Sequence, residues 1–142
     1  MNFEVERISS FNNDLIADLR SVFTDKNWSL VSSLSFVKDN KNYFLLVKKE
    51  GEMAGFLIAY RLQRLDEKSS KVLIYEVEVA KPFRKMGLAS KMIETILSMA
   101  KKDGAVEVWV PTNKSNLPAV ALYQKTGATG QDSDDIIFKY VF

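Results

Sequence analysis

Apolar and polar positions change period several times along this chain, and each change marks an element. In MNFEVERISS, Phe3 and Val5 alternate with Glu4 and Glu6, as in an edge strand. Leu15, Ile16, Leu19, Val22 and Phe23 then share one face of a helix for which Asn12 and Asn13 are suitable caps. A second, shorter helix is expected between Trp28 and Val37, where Leu30, Val31, Leu34 and Phe36 are interrupted by serines, and Lys38 to Asn42 is a polar turn. Tyr43 to Val47 is a continuous apolar run, too short for a typical helix and bounded by charge, which predicts a strand buried on both faces. Met53 to Tyr60 repeats that pattern. Glu50 and Gly51 between the two runs supply hairpin chemistry, so the strands should be antiparallel neighbours. After a polar loop from Leu65 to Lys71, Val72 to Val79 forms another strand, with Glu76 and Glu78 set among apolar residues.

The best-defined helix follows. Leu88, Met92, Ile93, Ile96, Leu97 and Ala100 fall at helical spacing, Lys91, Glu94, Lys101 and Lys102 take the other side, and Gly104 is the stop. Ala105 to Val110 alternates like a strand, Pro111 to Leu117 is a loop, and Pro118 suits the first turn of a short helix reaching Lys125. A Gly-containing polar stretch, residues 127 to 135, precedes a last expected strand, Ile136 to Phe142. The order is strand, two helices, three strands, helix, strand, helix, strand, which is an α/β architecture. Its strand-helix-strand unit implies a locally parallel sheet, on which ligands bind beyond strand carboxyl ends. Val79 lies at such an end.

Composition narrows the chemistry. The 142 residues fit one domain over 1–142, and 46% apolar with 27% charged residues is the balance of a globular protein. No stretch resembles a transmembrane span or a signal peptide, so a cytoplasmic protein without a membrane partner is expected. The absence of Cys excludes a disulfide framework, a thiolate nucleophile and sulfur-ligated metal. The absence of His excludes Ser-His-Asp hydrolysis and HExxH metalloproteolysis, and no metal is expected. Proton transfer must fall to Glu, Asp, Tyr, Lys or water. A net charge of +2 with evenly spread Lys and Arg gives no sign of nucleic-acid binding. Only Lys81, Arg84, Lys85 and Lys91 form a basic run free of acids.

That run lies in VEVAKPFRKMGLASK, Val77 to Lys91, the end of a strand, a basic turn and the start of a helix. A glycine at such a junction lets backbone approach a ligand, and helix-start N–H groups attract anions. Neither GxGxxG nor GxxxxGK[ST] occurs. The turn Arg84-Lys85-Met86-Gly87-Leu88-Ala89 matches the pattern Gln/Arg-x-x-Gly-x-Gly/Ala. A second pattern, Asn-x-x-Ala-x-x-Leu-Tyr-x-Lys-x-Gly, is met by Asn116, Ala119, Leu122, Tyr123, Lys125 and Gly127. With the hairpin sequence GEMAGF, these make the chain resemble the GNAT family of acetyl-CoA-dependent N-acetyltransferases.

The resemblance implies a single GNAT domain, a mixed twisted sheet of about six or seven strands with about four helices on both faces. It implies acetyl-CoA as co-substrate, its pyrophosphate on the backbone from Arg84 and Lys85 through Met86, Gly87 and Leu88 to Ala89, its pantetheine arm on Val77 and Val79, and a contact from Asn116. Tyr123 matches the family's general acid. Glu76 and Glu78 are the candidate bases, directly or through water, with Glu76 preferred. Only one of the two is expected to face the acetyl site unless a bulge intervenes.

The acceptor implied is a primary amine of a small molecule. Pro118 to Tyr123 and the closing Asp134-Asp135-Ile136-Ile137 with Phe138 are similar to aminoglycoside 3-N-acetyltransferases of type I, which points to an aminoglycoside and antibiotic resistance. In that group Tyr75-Glu76 has a Tyr-Asp counterpart. The chain departs from the group at Asn113, Lys114, Asn116 and Leu117, where aspartates are typical and a polycation needs them. A polyamine, a peptide N-terminus or a non-catalytic acyl-CoA-binding module are the alternatives, and exposed C-terminal strands leave homodimer pairing open.

Overall fold

A computed structural model describes residues 2–142. The chain divides into two compact units, the first ending at Pro111 and the second spanning Thr112–Phe142. In the first unit, strands β1 (Phe3–Arg7), β2 (Asn42–Lys49), β3 (Glu52–Gln63), β4 (Ser70–Val79) and β5 (Ala105–Trp109) form one sheet in chain order. Neighbours are antiparallel except β4 and β5, whose parallel pairing requires the helical crossover between them.

The helices form where caps and periodicity predict. Helix α1 (Asn13–Val22) is capped by Asn12, whose Oδ1 accepts the Leu15 N–H at 2.8 Å, and α2 (Leu30–Lys38) by Ser29, whose Oγ accepts that of Ser32 at 3.2 Å. Helix α3 (Leu88–Lys102) buries Leu88, Met92, Ile93, Ile96 and Ala100 on one face and ends at Gly104 with φ 88°. The core beneath α1 joins Ile16, Leu19 and Phe23 to Phe44, Leu46 and Phe56. On the opposite sheet face Tyr43 donates a 2.6 Å hydrogen bond to Asp103 after α3, and burial, followed by that carboxylate, pushes its phenol up to about 12. Helices on both faces explain why Tyr43 to Val47 is buried at every residue.

The β2–β3 hairpin turns on Glu50 and Gly51, at φ 51° and 82°, as two-residue turn chemistry requires. Gly55 answers a different need. A Cβ there would lie 2.7 Å from the Glu78 carbonyl oxygen and 3.2 Å from Met92, so only glycine lets β3, β4 and α3 meet.

In the second unit, α4 (Leu117–Lys125) is the sole helix, bringing the described helices to four. Among the described residues the sheet has five strands rather than six or seven. Ile136 to Phe142, rich in β-branched and aromatic residues, forms no strand, and its large apolar side chains are exposed. Such composition makes a segment compatible with a sheet; only backbone partners make it a strand. Among the described residues no helix is long and apolar enough to cross a membrane.

Candidate active site

Strand β4 changes character along its length. From Ser70 to Leu73 it is bonded to β3 and to β5; beyond Leu73, opposite Trp109, it runs on to Val79 with β3 alone. Ile74 pairs with Ala59 and Glu76 with Ile58, which leaves Tyr75 as the extra residue of a bulge. The outer edge of Glu76–Val79 carries backbone that no strand pairs, a row able to bond an extended ligand.

Glu76 and Glu78 lie opposite Ile58 and Phe56, on the sheet face beneath α1 and α2. Residues two apart on a strand point the same way, so the expectation that only one of them faces the site is corrected. The bulge precedes both and does not separate them. Val77 and Val79, opposite Leu57 and Gly55, take the α3 face.

The two carboxylates differ in their partners. Lys26, from the connection between α1 and α2, pairs with Glu76 at 2.5 Å. Burial alone would lower its ammonium, but the Glu76 hydrogen bond and charge outweigh burial and hold it above the ordinary lysine value. Glu78 has no such partner among the described residues. Burial first, and then the negative charges of Asp25 and Glu76 against the pull of Lys26 and Arg84, push its carboxyl above the usual range.

Past Val79 a single 3-10 turn, Lys81–Phe83, leads into the basic turn. Arg84 Nε donates to the Val79 carbonyl at 3.0 Å, folding the turn back onto the strand end. Lys85 and Gly87 are both left-handed, at φ 64° and 82°. Gly87 caps α3 without a side-chain acceptor, the first helical turn holds no acid, and Lys91 is the first residue to bond back, to the Gly87 carbonyl at 3.1 Å. The amides of Leu88 and Ala89 therefore have no acceptor within the helix. A left-handed residue on either side of Met86 makes a concave row of N–H groups, and Lys49 adds a cation by reaching the Met86 sulfur at 3.1 Å. A Cβ at Gly87 would meet nothing within 4 Å, so its left-handed φ, not crowding, calls for glycine. This turn fits a pyrophosphate.

In the second unit Asn116 is the N-cap of α4, its Oδ1 accepting the Ala119 N–H at 3.2 Å. Tyr123 is half-buried on the same helix, and burial pushes its phenol above the ordinary value, so it is protonated at neutral pH.

A cavity of about 290 Å³ opens on the α2 side of the sheet, with Trp28, Phe36, Phe44, Ile58, Tyr60 and Tyr75 on its walls and the Lys26 and Glu76 pair at its side. Phe36 meets Tyr60 edge-on at 5.5 Å between centroids, and Tyr60 meets Tyr75 at 5.6 Å. Burial, then the neighbouring Tyr75 and Glu76, push the Tyr60 phenol up. A cavity of about 310 Å³ along Lys91, Glu94, Thr95 and Ser98 of α3 holds none of these groups. Sequence reasoning missed Lys26, Asp25 and the Trp28 to Tyr60 wall, because no spacing rule joins residues that meet across the sheet. The Asn27-Trp28 pair, a polar residue before a large aromatic at a helix entrance, was the one local hint.

The model of the Acetyltransferase (GNAT) family matches residues 8–128. The chain belongs to this acyltransferase family. An N-alpha-acetyltransferase of Sulfolobus acidocaldarius is 23% identical over 132 residues, 88% of this chain and 79% of its own. The [ribosomal protein bS18]-alanine N-acetyltransferase of Escherichia coli strain K12 is 28% identical over 79 residues, 56% of this chain and 49% of its own. Among solved structures, an aminoglycoside acetyltransferase from an uncultured soil metagenomic sample superposes with a TM-score of 0.81 at 26% identity, covering 100% of this chain and 99% of that one. GNAT members use acetyl-CoA, and among the described residues no cluster of His, Cys, Asp and Glu is placed to hold a metal ion.

Proposed function

We propose that this GNAT-family chain, as a single domain over 1–142, acetylates a primary amine of a small molecule. The observation that carries the reading is the junction of β4 and α3: a strand edge that no other strand pairs, running into an acid-free helix start that has no side-chain cap and follows two left-handed residues. Arg84, Lys85, Met86, Gly87, Leu88 and Ala89 would hold the pyrophosphate, and the backbone of Val77 and Val79 the pantetheine arm. Acetyl-CoA supplies the acyl group as an activated thioester.

The chain's own groups manage protons. Glu78, its basicity raised by burial, accepts the proton of the acceptor ammonium, directly or through water, while Glu76 paired with Lys26 fixes the local charge. A new N–C bond forms as the C–S bond breaks; Tyr123 gives its phenolic proton to the departing sulfur, and the second proton that the nitrogen sheds on becoming an amide restores the phenol through water. The match of Tyr123 to the family pattern supports that role. Asn116 is already engaged as a cap, which supports a structural share in its role alongside a cofactor contact. The family match, running from residue 8 to 128, supports the single-domain reading.

A second reading, aminoglycoside acetylation, is favoured by the likeness to the soil acetyltransferase. Calorimetry with acetyl-CoA and thiol-release kinetics test the first. Tyr123→Phe should keep cofactor affinity and lose on the order of 10²-fold in kcat; unchanged turnover removes Tyr123 from the acid role.

A further inference from the structure

Resting on that reading, we infer that the acceptor is a small monoamine carrying one aromatic or branched apolar group, which the cavity beside Glu76 receives, and not a polycation. Three observations on the α2 side of the sheet lead there.

The first is the character of the walls. Phe36, Ile58 and Tyr60 are only half-buried, whereas Phe44 and Phe56 on the same face of the sheet are buried. Apolar surface left open at the centre of a core face gains by covering, at roughly 25 cal/mol per Å². The Trp28 Nε1 already donates to the Phe23 carbonyl at 3.0 Å, so the indole offers the cavity its apolar faces and no polar demand. Tyr75, set outward by the bulge and 66% exposed, stands at the mouth, where an incoming ring can meet it edge-on as Tyr60 does.

The second is size. A volume of about 290 Å³ stands at the small end of ligand sites, which run from ~300 to 1,000 Å³. One ring with a short amine arm suits it better than several linked sugars.

The third is charge. Lys26 and Glu76 are the charged residues lining the cavity, and at 2.5 Å they cancel. One ammonium can be met by Glu76 at the side of the cavity and by Glu78, two residues further along the same face of β4. Several ammonium groups would lose water and find no further carboxylate, and each would face Lys26. The apolar group thus enters between α2 and the sheet while its amine stays at the carboxylates on β4.

Calorimetric titration of the whole chain tests this without turnover. 2-Phenylethylamine should bind at least tenfold more tightly than spermidine or neamine. Ser33→Trp, placed on α2 at the cavity wall, should weaken it at least tenfold while the melting temperature and CoA affinity stay unchanged; Tyr75→Ala, at the mouth, should weaken it several-fold and serves if the tryptophan variant folds poorly. A C-terminally blocked tripeptide beginning with phenylalanine presents the same amine and ring, and its affinity relative to 2-phenylethylamine shows whether the amine belongs to a peptide end or to a free molecule. Equal or tighter binding of spermidine or neamine overturns the inference, as does a 2-phenylethylamine affinity that neither variant changes. Absence of CoA binding in the same instrument would defeat the acetyl-transfer reading alone, leaving the cavity's preference measurable.

Discussion

The two halves of β4 are built from similar residues and serve different ends. Ser70–Leu73 lies between β3 and β5 with its backbone paired on both sides, and Ser70 and Val72 are buried. Glu76–Val79 keeps only β3, and none of its side chains is fully buried. One extra residue, Tyr75, separates them. Where its hydrogen bonding is left incomplete on one edge while β3 holds the other, a strand has backbone free to meet a ligand without losing its rigidity.

Substitutions in the two halves should separate activity from stability. The largest effect is expected at Glu78→Gln, which should lower kcat/KM by about 10²-fold or more, within the ~10²–10⁴ range of general-base losses, with acetyl-CoA affinity unchanged by calorimetry. Next is Ile74→Ala, just before the bulge and 2% exposed. It should cost about 2–5 kcal/mol in denaturant unfolding and leave the kinetics of the folded fraction intact. Loss of turnover without loss of stability there would merge the two halves.

Gly55→Ala should couple them, because its Cβ would strike the Glu78 carbonyl oxygen. About 1–3 kcal/mol of stability should be lost together with activity, since β4 must shift to admit the methyl group. The smallest effects concern pH and one hydroxyl. The raised Glu78 carboxyl favours the protonated form in the folded chain, so its contribution to stability is present below its ordinary value of 4.5 and is lost as pH rises through its folded value. Glu78→Gln should then equal or exceed the parent chain in stability at pH 7, the gap closing below about pH 4.5, while the acidic limb of the parent's kcat/KM profile lies above that value. In the other half Ser70 Oγ is buried and has no protein partner among the described residues. Ser70→Ala should raise stability by about 1 kcal/mol with no kinetic change.

Much of the fold could be read locally. The caps Asn12 and Ser29, the Glu50-Gly51 turn, and the α3 stripe from Leu88 to Ala100 each depend on residues within a few positions of one another. The Ile136 to Phe142 strand could not be settled that way, since its pattern states a preference and its partner must come from elsewhere in the chain. The β4 helix-ward end was legible through Gly87 and the basic turn. The charge environment of its two glutamates was not, because Lys26 and Asp25 reach Glu76 and Glu78 from the connection between α1 and α2, for Lys26 and Glu76 across 50 positions of chain.

Residue pattern and composition alone determined the order of elements as far as α4, the glycine-capped basic turn and the exclusion of histidine and cysteine chemistry. These follow from composition and from backbone preferences that act over one or two turns. Only the tertiary structure decided where the β4–β5 pairing stops, that Tyr75 bulges, that both glutamates share one face, and that Lys26 neutralises one of them. Strand register and long-range charge pairing are set by packing between segments distant in the chain, and no local pattern of residues encodes them.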